Sequence, residues 1–172
     1  ALAPTTSLAV DAGDGSLLKA AGGLFRSPDR GESWQPLPFP NDINPDQIRE
    51  VVTTAAAPER LFVAGPGAGV FRSDDRGESW RAVSGELPSQ EIGAFAVHSY
   101  LPDTLYAWIA GQGVFRTEDG GEEWTLMDEG PSGDGPLLPV LALAHSSYEG
   151  SMNTGWLYAA TPEGPYLSMD CF

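Results

Sequence analysis

The chain carries one stretch in three nearly identical copies, and the first copy is Leu24-Phe25-Arg26-Ser27-Pro28-Asp29-Arg30-Gly31-Glu32-Ser33-Trp34. The second is Val70-Phe71-Arg72-Ser73-Asp74-Asp75-Arg76-Gly77-Glu78-Ser79-Trp80, and the third is Val114-Phe115-Arg116-Thr117-Glu118-Asp119-Gly120-Gly121-Glu122-Glu123-Trp124. A fourth copy starts at Pro165 and lacks the Gly and the Trp. The aspartates of the four copies, Asp29, Asp75, Asp119 and Asp170, are 46, 44 and 51 residues apart. A period of about 40 to 50 residues with strand-like composition is typical of β-propeller blades.

Each copy is preceded by two further apolar runs that predict β-strands. The predicted first strands lie at residues 7–11, 51–55, 94–98 and 140–144, and the predicted second strands at 17–20, 60–64, 104–108 and 156–160. The Phe-Arg-Ser segment forms the third strand and the Trp opens the fourth, so each unit is a four-stranded antiparallel meander. We therefore predict one all-β domain, a β-propeller or propeller segment of about four four-stranded antiparallel blades, the last incomplete. The predicted blades are residues 5–40, 48–88, 92–130 and 137–172.

The repeated motif Ser-x-Asp-x-Gly-x-x-Trp has a structural explanation. Ser, Thr and Asp side chains bond nearby backbone N–H groups and fix a tight turn, Gly supplies a positive φ, and Trp buries its ring beneath the turn. Burying an indole at ~25 cal/mol per Å² stabilises more than a local hydrogen bond of ~1 kcal/mol, so the Trp should dominate. The residues given this role are Ser27, Asp29, Gly31, Trp34, Ser73, Asp75, Gly77, Trp80, Thr117, Asp119, Gly121, Trp124, Ser168 and Asp170.

These units resemble the Asp-box, or BNR, repeat, and the resemblance covers nearly the whole chain. It implies that the boxes are folding elements at the propeller periphery, away from any central site. The third box departs from the family pattern, because Glu123 stands where a Ser or Thr usually precedes the Trp. The units are also similar to those of photosystem II stability and assembly factors and of sortilin-like ectodomains, which work by binding proteins or peptides.

The resemblance implies a non-catalytic protein-binding or scaffolding module, an accessory or assembly subunit of a larger complex that could be membrane-associated. The alternative is a glycan-active enzyme or glycan-binding propeller of the sialidase or xyloglucanase type, because Asp-box propellers include such proteins. A sialidase-like site needs three converging arginines. Arg26, Arg72 and Arg116 hold the same position in successive blades. We therefore expect them to be spread around the ring, solvated and paired with local carboxylates, and we predict no catalytic residue.

No metal or cofactor site is predicted. His98 and His145 lie near the ends of two predicted first strands, but no third ligand accompanies them. The segment at residues 11–15, Asp-Ala-Gly-Asp-Gly, is similar to a calcium loop but lacks the spacing and the bidentate Glu of one. We expect it to be an ordinary turn between the first two strands.

The net charge of −15 disfavours nucleic acids and anionic membrane surfaces as partners. The charge is explained by solubility, and the alternative is attraction to a basic partner surface. No segment approaches the ~18–20 consecutive apolar residues of a transmembrane helix. The opening Ala1-Leu2-Ala3-Pro4 is similar to the end of a removed export signal. We therefore expect an exported protein, whether periplasmic, extracellular or membrane-peripheral.

The predicted numbers of strands in the four blades are four, four, four and three, so the last blade presents an open edge. Three explanations stay open: the chain is part of a longer propeller, it is a naturally short form, or another protein or a second copy completes the edge by strand addition. The candidate binding residues are Leu167, Ser168, Met169, Asp170, Cys171 and Phe172.

Overall fold

A computed structural model of the protein describes residues 7–40, 43–128, 138–146 and 155–168. The strands of the first blade are β1 (Ser7–Val10), β2 (Leu17–Ala20), β3 (Leu24–Ser27) and β4 (Gln35–Pro36). Those of the second are β5 (Glu50–Thr53), β6 (Leu61–Gly65), β7 (Gly69–Ser73) and β8 (Arg81–Ala82). Those of the third are β9 (Ile92–Val97), β10 (Leu105–Ile109), β11 (Gly113–Thr117) and β12 (Thr125–Asp128). Those of the fourth are β13 (Ala142–Ser146), β14 (Trp156–Thr161) and β15 (Gly164–Ser168).

The strands form four separate antiparallel sheets, and within each sheet the spatial order follows the chain order. The first strands β1, β5, β9 and β13 contact one another in succession and form the inner row of the assembly. This is the arrangement of propeller blades, so the predicted fold class is confirmed. Three strands of the fourth blade lie within the described residues, and one short 3-10 turn (Pro45–Gln47) links the first two blades.

The fourth inner strand differs from its prediction. It spans Ala142–Ser146, two residues later than the apolar run at residues 140–144. Pairing with β14 sets the register, Ala142 opposite Ala160 and His145 opposite Leu157. Apolar content alone cannot fix a register that long-range hydrogen bonds decide. The second inner strand also differs from its prediction: it begins at Glu50, one residue before the predicted run at residues 51–55.

The hydrophobic core consists of three clusters, one at each contact between successive blades. Leu18 and Ala20 of the first blade pack with Leu61 and Val63 of the second. Further along, Phe62 of the second blade packs with Phe95 of the third, their ring centroids 5.6 Å apart. At the last contact the third and fourth blades bury Tyr106, Trp108, Leu143, Leu157 and Ala159. Burial between blades, rather than within one sheet, therefore supplies the core.

The strand directions define two faces of the molecule. In each blade the first and third strands are both antiparallel to the second, so they run in the same direction. The turns after the first strands and the Asp-box turns after the third strands consequently share one face, which we call the box face. The first strands begin at the other face, which we call the opposite face.

Candidate functional site

The three complete Asp boxes have the same hydrogen-bond pattern. In the second box the Ser73 hydroxyl donates to Asp75 Oδ1 at 2.7 Å and accepts from the Gly77 N–H at 2.7 Å, while the Ser79 N–H donates to Asp75 Oδ1 at 2.8 Å. The equivalent bonds join Ser27, Asp29, Gly31 and Ser33 in the first box, and Thr117, Asp119, Gly121 and Glu123 in the third. Gly31, Gly77 and Gly121 have φ values of 96°, 94° and 99°.

The boxes differ in how strongly they hold the charge of the aspartate. The hydroxyls of Ser33 and Ser79 lower the pKa of Asp29 and of Asp75 to about 2, and the backbone N–H groups of the same serines assist. In the third box the Thr117 hydroxyl is the main cause of the lowered pKa of Asp119, and Glu123 contributes only its backbone N–H. The departure at Glu123 therefore removes one hydroxyl donor from this box.

In the second and third blades, the box tryptophan hydrogen-bonds to the preceding blade. Trp80 Nε1 donates to the Pro38 carbonyl at 3.0 Å, and Trp124 Nε1 donates to the Val83 carbonyl at 2.9 Å. The rings are half-buried rather than fully enclosed beneath their turns. Trp34, in the first blade, instead lies under the ammonium group of Lys19, 4.0 Å from the ring centroid. The motif therefore connects successive blades as well as closing its own hairpin.

The fourth copy of the motif lies largely outside the described residues, including Met169, Asp170, Cys171 and Phe172. Ser168 ends β15, where its backbone pairs with Leu157. Leu167 pairs with Tyr158 and has 48% of its surface exposed. Among the described residues, β15 pairs only with β14.

The arginines of the third strands form ion pairs with carboxylates of their own and neighbouring turns. Arg72 bonds Asp74 at 2.8 Å and Asp103 of the next blade at 3.2 Å, and Arg116 pairs with Glu118. The expected pairing with local carboxylates is confirmed. The expectation of a solvated side chain is wrong for Arg72, which is 9% exposed because the third blade covers it.

The turn at residues 11–15 is an ion-pair centre between the first two blades. Asp11, fully buried, accepts from Arg26 at 2.7 Å and from Arg76 at 3.3 Å. Arg76 also reaches Asp14 at 3.3 Å, and the hydroxyl of Ser16 is the main cause of the lowered pKa of Asp14. Two guanidinium groups thus bond the carboxyl groups of this turn.

Arg76 reaches this centre from an unusual backbone conformation. Its φ of 62° lies in the left-handed region, which disfavours residues with a side chain. The third box has Gly120 at the equivalent position, with φ 79°. A Cβ on Gly120 would collide with the guanidinium of Arg72. Arg72 reaches Asp103 of the next blade, whereas Arg76 reaches the Asp11 turn of the preceding blade.

Two cavities lie along the inner strands, one toward each face. The opposite-face cavity, of about 600 Å³, receives residues from the inner row of all four blades, among them Ser7, Glu50, Val52, Phe95, Ala142 and Leu143. The box-face cavity, of about 400 Å³, involves the second, third and fourth blades, with Thr53, Val97, Ser99, Ala144 and His145 in its wall. Both volumes lie within the ~300–1,000 Å³ range of ligand pockets.

Glu50 is the exceptional residue of the opposite-face cavity. The register places it level with Ser7, Ala94 and Ala142 of the other inner strands, which are all small. The Phe95 backbone N–H donates to its carboxyl group, as the Val51 N–H donates to Ser7 Oγ. Its Oε2 is buried, and no hydrogen-bond partner for it exists among the described residues. Burial raises the pKa of Glu50 to about 7 despite the opposing Phe95 hydrogen bond.

Arg49 lies in the wall of the same cavity, next to Glu50 in the chain. Its side chain is exposed, and it makes no ion pair with any residue in the described part of the chain. Apart from these two residues, the described lining of this cavity carries no charge. An unpaired cation and a buried carboxyl group therefore share one cavity.

His98 and His145 come together at the box face, with ring centroids 3.9 Å apart. The Nδ1 atom of His98 accepts from the N–H groups of Tyr100 and Leu101, and the Nδ1 atom of His145 accepts from the Ser99 N–H at 3.1 Å. These bonds give the pair a structural role between the third and fourth blades. Within the described residues, no group of three or more His, Cys, Asp or Glu side chains has a metal-binding arrangement.

Glu50, Arg49 and Arg76 are not among the site residues predicted from the sequence. A weak signal for Glu50 exists, because a Glu directly precedes an apolar strand whose counterparts start with small residues. Its burial depends on Phe95, 45 positions later. Arg76 had no signal, because its ion pairs are made with another blade; its positive φ is shared by Arg30 and Gly120 at the same position of the other boxes.

Among known proteins, no family model and no curated protein matches the chain. Solved structures do resemble it. A GH74 enzyme from Niastella koreensis superposes with a TM-score of 0.72 at 16% identity, covering 96% of this chain and 28% of the enzyme. YCF48 from Cyanidioschyzon merolae superposes with a TM-score of 0.62 at 17% identity, covering 100% of this chain and 57% of YCF48.

The extracellular domain of a proposed one component system from B. thetaiotaomicron gives a TM-score of 0.65 at 16% identity, covering 95% of this chain and 20% of that one. The chain therefore spans less than two thirds of each of these proteins. At such identities the similarities establish the propeller fold and nothing about activity. No helix among the described residues has the length and apolar character needed to cross a membrane.

Proposed function

We propose that this chain is a non-catalytic BNR-type propeller module that binds a protein or peptide partner in its opposite-face cavity. The observation that carries the proposal is the convergence of all four inner strands on a cavity of about 600 Å³ that holds a buried carboxyl oxygen without a partner in the described part of the chain. A pocket with mostly apolar walls and a few polar groups, one with a perturbed pKa, is the usual form of a ligand site.

The structural neighbours support a binding role on this scaffold. A solved structure of YCF48 bound to D1 peptide superposes on this chain with a TM-score of 0.60 at 15% identity. A propeller of similar shape can therefore hold a peptide. By analogy, the module would be an accessory or assembly subunit of a larger complex. An exported location is part of the proposal, in keeping with the extracellular domain among the neighbours.

A peptide array and a glycan array, probed with the same labelled protein, test the proposal. The diagnostic variant is Ala142→Trp, because Ala142 is exposed in the wall of the opposite-face cavity and an indole there would fill it. Ala144→Trp is the matched control: it makes the same change two residues along the same strand, in the box-face cavity.

We expect peptides to bind the parent protein and Ala144→Trp, and binding to be lost in Ala142→Trp. Loss only in Ala144→Trp would move the site to the box face. Binding to glycans but not to peptides would overturn the proposal.

Glycan hydrolysis is the second candidate, because a carboxyl group with a pKa near 7 suits a general acid and a GH74 enzyme is among the neighbours. Glycosidases use two carboxyl groups. Glu50 is the one carboxylate among the described residues lining either cavity. We therefore rank binding first. Turnover of fluorogenic aryl glycosides that disappears in Glu50→Gln would reverse this order.

The edge strand β15 is a second proposed contact, through strand addition by a partner. Tyr158 and Leu167 pair across β14 and β15, and both are more than a third exposed. A Leu167→Lys variant on the same peptide array tests this contact. Unchanged binding in that variant would exclude the edge.

A further inference from the structure

One oxygen of the Glu50 carboxyl group has a hydrogen-bonding capacity that no described residue uses and that a ligand could meet. One backbone N–H, from Phe95, is directed to it, and Oε2 has no partner among the described residues. An ionised carboxylate can accept several hydrogen bonds, and leaving a buried acceptor empty is unfavourable. The inner-strand position that holds Glu50 has alanines in the third and fourth blades, so the blade architecture does not require a carboxylate there.

The surroundings of Glu50 select among possible donors. Val52, Phe95 and Leu143 give the cavity an apolar wall. Lysine and arginine combine an apolar stem with a terminal cation, so they can contact such a wall and still reach a carboxylate. The net charge of −15 also raises the local concentration of basic segments near the protein.

We propose that the opposite-face cavity receives a basic side chain, lysine or arginine, from the bound peptide, and that Glu50 is its counter-charge. This inference rests on the proposed peptide-binding function. It assigns that site a ligand chemistry, a cation on a flexible aliphatic stem.

Oε2 is buried in the cavity wall before the ligand arrives, so contact requires a side-chain rotation. Glutamate has three rotatable side-chain bonds, and the carboxylate can turn toward the cavity when a cation is there to meet it. Arg49 shares the wall, and its charge opposes that of the ligand. Because Arg49 is exposed, solvent and salt weaken this repulsion.

Binding should depend on pH in a defined direction. Burial raises the pKa of Glu50 to about 7, and an arriving cation favours the ionised form, so binding releases protons. The affinity for a basic peptide should therefore increase as pH rises from 6 to 8. Arg49 is the other charged group in the described lining. Ser7, Gly93, Phe95, Ala142 and Leu143, from the other inner strands, do not titrate.

The test uses three pools of fluorescein-labelled nonapeptides, measured by fluorescence anisotropy against the full chain. All pools are randomised among uncharged residues, and they differ only in a fixed central residue: lysine, norleucine or glutamate. Norleucine keeps an aliphatic stem without the charge. We expect the lysine pool to bind about tenfold more tightly than the norleucine pool, and the glutamate pool to bind more weakly than both.

Three variants complete the test. In Glu50→Gln the lysine preference should disappear and the pH dependence should flatten, whereas Glu91→Gln, at an exposed position, should keep both. Arg49→Gln should keep or increase the preference.

Equal binding of the lysine and norleucine pools would overturn this inference and leave the peptide-binding proposal standing. Loss of all peptide binding in Arg49→Gln, with Glu50→Gln unaffected, would reverse the assigned charge. A parent protein that binds none of the pools and no array peptide would overturn the proposed function itself.

Discussion

The indole of Trp124 donates a hydrogen bond to the carbonyl oxygen of Val83, which belongs to the preceding blade, at 2.9 Å. Trp80 makes the same contact with Pro38 one blade earlier, at 3.0 Å. In these two blades, a motif read as a hairpin turn is therefore also a connection to the preceding blade. The glycine of the third box takes part as well, because a Cβ on Gly121 would collide with Val83.

Replacing the tryptophan should destabilise the protein more than replacing the aspartate of the same box. We expect Trp80→Ala to lower the free energy of unfolding by about 3 kcal/mol, since it removes buried ring area and the bond to Pro38. Trp80→Phe keeps most of the ring area and should cost about 1 kcal/mol. Asp75→Ala should cost less than Trp80→Ala. Urea denaturation measures all three, and a larger loss in Asp75→Ala would contradict the dominance of ring burial.

The buried carboxylate of Asp11 should be far more sensitive to neutralisation than its neighbour. Asp11→Asn leaves the guanidinium groups of Arg26 and Arg76 without their buried counter-charge, and we expect a loss of about 3 kcal/mol. Asp14 is 43% exposed, and Asp14→Asn should cost less than about 1 kcal/mol. Thermal or urea unfolding at neutral pH compares the pair. Similar losses in both variants would show that burial does not set the strength of this centre.

The pKa of each box aspartate should fall with each hydroxyl group that donates to it. Ser79→Ala should raise the pKa of Asp75 from about 2 toward its ordinary value, because the Ser79 hydroxyl is the main cause of the shift. Glu123→Ser should lower the pKa of Asp119 further, because it restores the missing donor. NMR titration of the carboxyl carbons reads both values.

Because the pKa values of the box aspartates are lowered, the stabilisation that the boxes provide should be lost in acid. Their stabilisation is complete above the unfolded pKa of about 4 and is lost as pH falls through the folded value of about 2. Ser79→Ala should therefore flatten the fall in stability between these pH values. An unchanged acid profile would show that the box bonds persist in the unfolded chain.

Glu50 should make the protein less stable as pH rises through a different window. Its folded pKa is raised to about 7 from an ordinary value of 4.5, so the unfolded chain loses this proton first. The free energy of unfolding should decline between pH 4.5 and 7, by an amount on the order of 3 kcal/mol for this group. Glu50→Gln should be more stable than the parent at pH 8 and similar to it at pH 4.5. Glu91→Gln is the control, and melting curves at both pH values decide; equal behaviour of the two variants would show that Glu50 is not buried in solution.

The fold is predictable from the sequence because the signals for it are local and repeated. The alternation of strand residues, the glycine of each turn and the Ser-x-Asp spacing act over a few residues, and three copies reinforce one another. β2 (Leu17–Ala20) agrees residue for residue with its prediction. β13 (Ala142–Ser146) does not, because its pairing with β14, the next strand of the same sheet, sets its register.

The Ser-x-Asp-x-Gly motif itself depends on nearby residues, and the repeat was enough to predict the propeller fold and the three box turns that the structure describes. The Val83 carbonyl that Trp124 bonds, the contact of Arg76 with Asp11, and the Phe95 N–H that bonds Glu50 join groups 41 to 65 residues apart in the chain. No local pattern encodes which groups meet when one blade packs on the next. The ionisation and hydrogen bonding of a buried group follow from those contacts, so only the packed blades decided that the charge of Asp11 is paired and that Oε2 of Glu50 has no partner among the described residues.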